Sequence, residues 1–321
     1  MTEINMQDLT VKNISFTTFT LNGYHDLKEW RPILTIPYLL MFIFSSTSNS
    51  FLIFLIISQR ALHSPMFVLI GLMAAGDLCS SIFIVPNMLL NFLFDWKQIS
   101  RVGCLIQMFC VHLTGTFQST LLLWMSLDRF FAICKPLSYH TYMQMPNFLK
   151  FVIVPVIRNI IMVATMVSWA GKLQFCLKNE INHCFCSHMS VVQLACGDIS
   201  INSILGLLTL FFISAADFVL ITVSYVIIFS VVIKSGRSHS KALNTCVTHI
   251  FVVTGSLVFA LLASLSYRTR NNFSPNSQIF LGTMYVLFPG CFNPIIYGLR
   301  TKEIREQLLK FINLGKVLPQ Y

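Results

Sequence analysis

The stretch "MSLDRFFAICKPLSYH", residues 125–140, places an acid and a base side by side at the end of a long uncharged run. Residues 103–127 form a run of 25 residues without Asp, Glu, Lys or Arg, and Asp128 and Arg129 follow directly. A helix of that length rises about 37 Å, enough to cross a hydrocarbon core of about 30 Å. The stretch therefore predicts a membrane span that ends in a charged pair near the membrane surface.

Six more apolar runs lie along the chain. Its 321 residues are 55% hydrophobic and only 11% charged, whereas about 25% are charged in a typical soluble domain. The runs do not alternate apolar and polar residues, so helices are expected to satisfy the backbone hydrogen bonds in lipid. We therefore predict an all-α membrane protein, a seven-transmembrane helix bundle. The predicted spans cover residues 33–57, 66–94, 103–127, 151–170, 199–233, 242–267 and 276–299.

The distribution of charge orients these spans. Seven spans put the two ends of the chain on opposite sides of the membrane. With the N-terminus outside, the cytoplasmic segments hold 12 Lys/Arg and 3 acidic residues, and the outer segments hold 9 and 7; an excess of Lys/Arg marks the cytoplasmic side. Glycosylation sequons at Asn13 and Asn272 then both lie outside. The basic charge thus indicates topology in a plasma membrane and attraction to anionic lipid, not nucleic-acid binding.

The chain divides into three predicted parts. Residues 1–32 are expected to form an extracellular tail, residues 33–299 the seven-transmembrane domain, and residues 300–321 a cytoplasmic amphipathic helix and tail. The charged residues of the last part lie opposite an apolar face, which predicts a short eighth helix lying on membrane lipid. That apolar face repeats at intervals of four residues, at Ile304, Leu308 and Ile312.

Cysteine use agrees with this orientation. Five of the ten cysteines lie in outer segments, four of them within residues 171–197. An oxidising compartment favours disulfides, and an odd count leaves one thiol over. The alternative for "HCFCSH", residues 183–188, is a zinc site, but the compartment favours disulfides and no metal is expected. The outer cysteines are Cys104, Cys176, Cys184, Cys186 and Cys196.

Five motifs, in order and at the right spacing, resemble those of vertebrate odorant receptors, a branch of the rhodopsin-like G-protein-coupled receptors. "SLDRFFAICKPLSYH" resembles their DRY…AICxPLxY signature, and "KALNTCVTHI" resembles their KAxxTCxSH entry to span six. Spans two, five and seven carry the others: "LHSPMFVLIGLMAAGDL", "SYVIIFSVV" and "FPGCFNPIIYGLRTKEIR". "HCFCSHMSVVQLAC" and "LKEWRPILTIPY" are most similar to the class I, fish-type branch, which is associated with water-soluble odorants.

The resemblance implies a receptor and not an enzyme. Its expected ligand is a small, water-soluble odorant, its partner a stimulatory heterotrimeric G protein that raises cAMP, and its location the ciliary membrane of olfactory neurons. No cofactor is implied. Two alternatives stay open. One is a non-olfactory small-molecule receptor on the same fold. The other is a transporter, which would need a continuous polar path through the spans.

The resemblance also assigns an activation switch near the cytoplasmic ends of the spans. Arg129, held by Asp128, would be released when span six moves outward and would then help to bind the G protein. The alternatives are that Arg129 reaches the inner headgroups and that the tyrosines are ordinary buried residues. The remaining switch residues of the family match Tyr225, Asn293, Pro294 and Tyr297.

Charged residues inside the spans are functional candidates by default. Asp77 is matched by the resemblance to a polar core with Asn49 and Asn293, in which a sodium ion is one alternative and a protonated, hydrogen-bonded carboxyl the other. Gln118 stands where the family usually has Glu, and this loss of a carboxylate weighs against the ion. In spans four and five, Arg158 and Asp217 are candidate partners.

The ligand is expected between the outer halves of the helices. The resemblance pairs Cys104 with Cys186 and Cys176 with Cys196, which leaves Cys184 free and holds the outer loop over the pocket. Arg268 suits an anionic odorant because a guanidinium can pair with a carboxylate through two hydrogen bonds. The alternatives are that Arg268 and Arg270 are solvated loop residues and that His112 only bonds a neighbouring helix. The predicted ligand-binding residues are His112, Gly115, Thr116, His188, Ser264 and Arg268.

Overall fold

The computed structural model describes residues 16–143, 145–175, 179–235, 240–269 and 272–317. Its helices form the predicted seven-transmembrane bundle, and the fifth span passes through a short π-helical segment, Leu210–Ala215, between two α-helical parts. The eighth helix, Lys302–Val317, follows directly. The seven spans are Arg31–Ser58, Pro65–Phe94, Arg101–Cys134, Met145–Gly171, Ser200–Thr209 with Ala216–Ser235, Ser240–Arg268 and Pro275–Arg300.

The chain is a multi-pass membrane protein. Six of its described helices are long and apolar enough to cross a membrane on their own. The third span, 34 residues long, is less apolar because it carries polar residues such as His112 and Gln118. This helix packs against the second, fourth, fifth and sixth spans. Its neighbours therefore shield it from lipid, and its polar side chains face the interior of the bundle.

Local sequence signals set the ends of several spans. Ser100 precedes the third span, and its hydroxyl accepts a hydrogen bond from the amide of Gly103 at 3.0 Å. Ser274 caps the seventh span in the same way, accepting from the amide of Ser277 at 3.2 Å. Each cap satisfies an amide that has no partner within its own helix. Pro294 lies inside the seventh span, where it removes one helical hydrogen bond and favours a bend.

A small sheet covers the N-terminal end of the bundle, the end that carries residues 16–30. Strand β1, Thr18–Leu21, lies between β2, Gln98–Ser100, to which it is antiparallel, and β3, Glu180–Ile181, to which it is parallel. Only four, three and two residues take part, too few for a strand pattern to show in the sequence. Strand β1 is thus paired with segments of two loops of the bundle. Asn13 lies outside the described residues.

The eighth helix packs its apolar face against the opposite end, the C-terminal end of the bundle. Ile304 is fully buried in the same apolar cluster as Leu52, Leu55 and Tyr297 from the first and seventh spans. On the other side of the helix, Lys302 pairs with Glu306 one turn on, at 3.4 Å. This division of apolar and charged faces is the one expected for a helix on a membrane surface.

Candidate ligand cavity and charged switch

A disulfide between Cys104 and Cys186 ties the loop after span four to the top of span three, as predicted. The amide of Cys186 also donates to the side-chain oxygen of Gln107 at 2.8 Å. The zinc alternative for this loop is therefore wrong for Cys186, whose sulfur is already bonded. Cys196 is also disulfide-bonded, while its predicted partner Cys176 lies outside the described residues. Cys184 is a buried free thiol.

The described residues between spans four and five, 172–175 and 179–199, are called here the roof loop. Under it lies a cavity of about 140 Å³, lined by residues of spans three to seven and called here the ligand cavity. Five of the six predicted ligand-binding residues line it: His112, Thr116, His188, Ser264 and Arg268. Gly115 instead lines a smaller cavity of about 60 Å³ below. A Cβ atom at Gly115 would lie 2.8 Å from the hydroxyl of Tyr285, so glycine allows spans three and seven to approach closely there.

Arg268 forms part of the helix wall of the ligand cavity. Its Nη1 donates to the hydroxyl of Ser203 at 2.9 Å, and its Nη2 donates to the Ser203 carbonyl at 3.3 Å. Its Nε is buried and has no partner among the described residues. Arg268 is therefore bound to the fifth span and is not a solvated loop residue, whereas Arg270 lies outside the described residues. A two-bond clamp on an anion would require one of the Ser203 contacts to open.

Histidines surround the ligand cavity, and one of them was not predicted as a ligand contact. The rings of His112 and His188 lie 6.3 Å apart, edge to face. His183 also lines the cavity and sits so close to the seventh span that a Cβ at Gly282 would be 2.6 Å from its Nε2. The Nε2 atoms of all three rings are buried without a partner in the described part of the chain. The Nδ1 of His183 accepts from the Phe185 amide at 3.3 Å, so the Nε2 of that neutral ring carries the proton and can donate to a polar ligand.

The histidines of the roof loop are neutral at physiological pH. Burial lowers the pKa of His183 to about 3. Burial, together with nearby His112 and Arg268, lowers the pKa of His188 to about 3. A buried imidazole loses the hydration that stabilises its charged form. The fixed positive charge at this cavity therefore comes from Arg268, while the imidazoles offer neutral donors and acceptors.

Asp77 lies in a fully buried polar core below the cavities. The side-chain amide of Gln118 donates to its Oδ1 at 2.6 Å, and that of Asn293 donates to its Oδ2 at 3.0 Å. Asn49 is bonded elsewhere, to the carbonyls of Gly290 at 2.7 Å and Ser45 at 2.9 Å. Each carboxyl oxygen therefore accepts an amide hydrogen, and the carboxyl group is satisfied by hydrogen bonds without an ion. No group of three or more His, Cys, Asp or Glu residues that could hold a metal ion occurs among the described residues.

The charged pair at the end of span three forms the arrangement called here the charged switch: Asp128, Arg129 and Tyr139. Arg129 Nε lies 3.7 Å from Asp128 Oδ2. Tyr139, which sequence reasoning missed, donates its hydroxyl to Asp128 Oδ1 at 2.9 Å from the short helix Pro136–Met143. The carboxylate is buried and is held from both sides, whereas one quarter of the Arg129 side chain is exposed.

Unpaired polar groups lie next to the charged switch inside the C-terminal end of the bundle. The Tyr225 hydroxyl and both ring nitrogens of His249 are buried without partners in the described residues. Among the hydrogen bonds described, the Tyr297 hydroxyl donates only to the sulfur of Met125, at 3.7 Å. Buried donors of this kind are stabilised by any rearrangement that pairs them. The end of the bundle therefore contains the groups for a second hydrogen-bonded arrangement.

Arg158 and Asp217 are paired inside the membrane. Arg158 Nη2 lies 3.5 Å from Asp217 Oδ1, and the carboxylate is fully buried. The hydroxyls of Ser119 and Thr120 donate to Asp217 Oδ2 at 3.1 and 3.3 Å. Asn159 accepts from Arg158 Nε at 3.1 Å. This network joins spans three, four and five directly after the π-helical segment of the fifth span.

Comparison with known proteins identifies the family. The olfactory receptor family model matches residues 38–314. Olfactory receptor 52D1 from Homo sapiens is 36% identical over 302 residues, which are 93% of this chain and 95% of that receptor. Human olfactory receptor 52K1 is 35% identical over 293 residues, which are 91% of this chain and 93% of that receptor. Human olfactory receptor 51E2 is 33% identical over 305 residues, which are 94% of this chain and 95% of that receptor. The chain therefore belongs to the olfactory receptor family, whose members are seven-helix G-protein-coupled receptors and not enzymes.

Proposed function

We propose that this protein is an odorant receptor for a small, water-soluble, anionic molecule and that it activates a stimulatory G protein. The observation that carries this proposal is the ligand cavity with Arg268 at its wall and neutral imidazoles around it. A carboxylate there gains one guanidinium and several neutral hydrogen-bond partners away from water, where such bonds are strong. The segments that resemble the class I branch support the same kind of ligand.

The ligand's anion would engage Arg268 in place of its Ser203 contacts. The Nε of Arg268 is the donor without a described partner, and its Nη2 bond to the Ser203 carbonyl is long, at 3.3 Å. A carboxylate that takes both nitrogens draws Arg268 away from the fifth span. Ligand binding would thereby change the packing of span six against span five at the N-terminal end.

The charged switch would convert that change into G-protein activation. When span six moves away from span three, Arg129 can leave Asp128 and turn toward the G protein. The unpaired hydroxyl of Tyr225 and the nearby Tyr297 would then stabilise the new arrangement. Tyr139 keeps the buried Asp128 carboxylate hydrogen-bonded after Arg129 has left, which lowers the cost of opening the pair.

The proposal includes the orientation and location of the receptor. The N-terminal end, with the disulfides and the exposed Asn272, faces the exterior, and the C-terminal end, with the eighth helix, faces the cytoplasm. The basic residues near the ends of the spans support this orientation. An odorant receptor of this kind acts in the ciliary plasma membrane of olfactory neurons, where the N-terminal end of the bundle faces the mucus.

The test is cAMP accumulation in cells that express the receptor, with small carboxylic acids, amino acids and matched amides and alcohols. We expect acids to activate the wild type, and Arg268→Ala to raise their half-maximal concentration about tenfold or more, since a hydrogen bond to a charged group contributes about 1.5–3 kcal/mol. Arg268→Lys should retain part of the response because the charge is kept and the planar fork is lost.

Lys172→Ala provides the control for this test, because Lys172 is an exposed cation at the same end of the bundle but outside the cavity. Its acid response should equal that of the wild type, with surface expression measured for every variant. Equal potency of acids and their neutral analogues, unchanged by Arg268→Ala, would contradict an anion receptor. A response confined to neutral compounds would retain the receptor and reject the role of Arg268.

A further inference from the structure

The ligand cavity is covered at the N-terminal end of the bundle. The roof loop is fixed to span three by the Cys104–Cys186 disulfide and by the Gln107 hydrogen bond. His183 of the same loop is held against Gly282 of span seven. Strand β1 lies beside β3, the strand that precedes His183 in this loop. A ligand that arrives from water therefore needs a path around the roof loop.

A second cavity of about 200 Å³, called here the vestibule, lies beside the roof loop. It is formed by the later part of that loop, the end of span six and the start of span seven. Its lining combines amides and a hydroxyl with apolar side chains, including Asn182, Ser190, Gln193, Phe273 and Gln278. Asn182 and Pro275 at its edge are exposed. The vestibule is therefore accessible from the water side of the N-terminal end.

Tyr267 is shared by the two cavities, since it lines both the vestibule and the ligand cavity. Its ring centroid lies 5.8 Å from that of His183 on the ligand-cavity side. Its hydroxyl is buried and has no hydrogen-bond partner among the described residues. A buried, unpaired hydroxyl is unfavourable, and rotation of the side chain into the vestibule would return it to water and to the amides there.

The backbone around Tyr267 is fixed, so its side chain is the part that can move. The side-chain amide of Gln193 donates to the Tyr267 carbonyl at 2.9 Å, which ties span six to the roof loop. The side-chain amide of Gln278 donates to the Ser266 carbonyl at 3.0 Å, which ties it to span seven. Both donors line the vestibule. A rotation about the side-chain bonds of Tyr267 leaves these contacts intact.

We propose that the vestibule is a first binding site for incoming ligand and that the side chain of Tyr267 is the gate between it and the ligand cavity. The side-chain amide of Asn182 and the second N–H of each glutamine amide in the vestibule suit a small amphipathic molecule with a carboxylate or hydroxyl group, which can bond them while its carbon chain contacts Phe273. The Ser190 hydroxyl already donates to the Ser187 carbonyl at 2.9 Å. The inference rests on the proposed function only in that the inner cavity is the ligand's destination. Tyr267 then controls how fast that cavity fills.

The gate can be tested without any odorant by cysteine labelling. Ser264 lines the ligand cavity and not the vestibule, so Ser264→Cys places a thiol behind the gate. The probe is a small anionic methanethiosulfonate reagent added to purified receptor in nanodiscs. We expect slow labelling with Tyr267 intact, because the reagent reaches the thiol only while the Tyr267 ring is rotated out of its path. We expect about tenfold faster labelling with Tyr267→Ala, because passage from the vestibule to the ligand cavity then needs no rotation. The receptor without Ser264→Cys measures the background from its native cysteines.

Two further variants keep the test decisive if Tyr267→Ala fails to fold. Tyr267→Phe keeps the ring and removes the unpaired hydroxyl, so its labelling should be as slow as with Tyr267 or slower. Asn182→Trp fills the mouth of the vestibule and should slow labelling several-fold, while Ile201→Trp, on an exposed face of span five, should not. If Asn182→Trp labels Ser264→Cys at the same rate as the receptor with Asn182 intact, the vestibule is not the route and the gate is overturned in favour of entry between helices from lipid. The same holds if Tyr267→Ala folds and labels no faster than the receptor with Tyr267 intact.

The labelling result and the odorant response can fail independently. A gated thiol in a receptor that answers no odorant would reject the proposed ligand and keep the gate. A receptor that responds to acids but labels at one rate in all variants would keep the proposed function and reject the gate.

Discussion

Replacing Arg129 by Ala is expected to abolish G-protein activation while the receptor still reaches the cell surface. Arg129 is one-quarter exposed at the end of span three and pairs with Asp128 at 3.7 Å. Its loss leaves Asp128 with the Tyr139 hydroxyl as a donor at 2.9 Å, so the fold retains a partner for the buried carboxylate. Basal and agonist-stimulated cAMP, read beside surface staining of intact cells, separates signalling from expression.

Arg305→Ala is the matched control for this variant. Arg305 lies in the eighth helix at the same end of the bundle, is exposed, and reaches only a main-chain carbonyl, that of Leu299 at 3.5 Å, in its described contacts. Its cAMP response should remain near that of the wild type, whereas Arg129→Ala should show no agonist response above its basal level. A normal response of Arg129→Ala at equal surface density would contradict the role given to the charged switch.

Replacing Asp217 by Leu is expected to remove most of the receptor from the cell surface. The change leaves Arg158 without its anion inside the membrane, and removal of one partner of a buried ion pair costs about 3–5 kcal/mol. That is a large part of a typical stability of about 5–15 kcal/mol. Surface expression and the melting temperature of the purified receptor measure the effect.

The double variant Arg158→Leu with Asp217→Leu distinguishes a lost pair from a lost side chain. We expect it to recover much of the expression, because two apolar side chains of suitable size often replace a buried pair at little cost. Asp26→Asn, which changes an exposed carboxyl, should leave expression unchanged. If Asp217→Leu alone is as stable as the wild type, the pair does not support the bundle.

Much of the fold follows from the sequence because the membrane restricts it so strongly. Long runs without charge require helices, and an isolated charge within such a run requires a partner. For that reason the spans, the eighth helix and the pairing of Arg158 with Asp217 could be anticipated. The three-stranded sheet could not, because its longest strand, Thr18–Leu21, has four residues and its pairing depends on which loops the bundle brings together.

The ligand cavity was harder to predict than the fold. Successive residues of a helix point about 100° apart, so a small error in helix rotation decides which cavity Gly115 lines. His183 was visible in "HCFCSH", but that segment was interpreted as a source of disulfides, with a zinc site as the alternative, and neither interpretation predicted a contact with the ligand cavity. Tyr139 reaches Asp128 only because a break at Lys135 turns the following helix back toward span three. Such contacts depend on tertiary geometry that no local pattern encodes.

Asp77 shows how one departure from the family's pattern changes the chemistry of a site. Gln118 supplies an amide where the sequence resemblance leads one to expect a carboxylate, and that amide donates to Asp77 at 2.6 Å. A cation at this position would meet amide hydrogens from both Gln118 and Asn293. The core is therefore explained by hydrogen bonds between spans two, three and seven, and no ion is needed to account for its burial.

In the proposed function, a ligand in the cavity under the roof loop controls the charged switch. The most direct measurement is the cAMP concentration–response to the most potent acid of the panel in Ser264→Phe and Leu265→Phe. Ser264 lines the ligand cavity, while Leu265, the next residue, points outward and is exposed. At equal surface expression, we predict that Ser264→Phe loses the response and that Leu265→Phe keeps it. An unchanged response of Ser264→Phe would contradict the account, because the agonist would then act from another site.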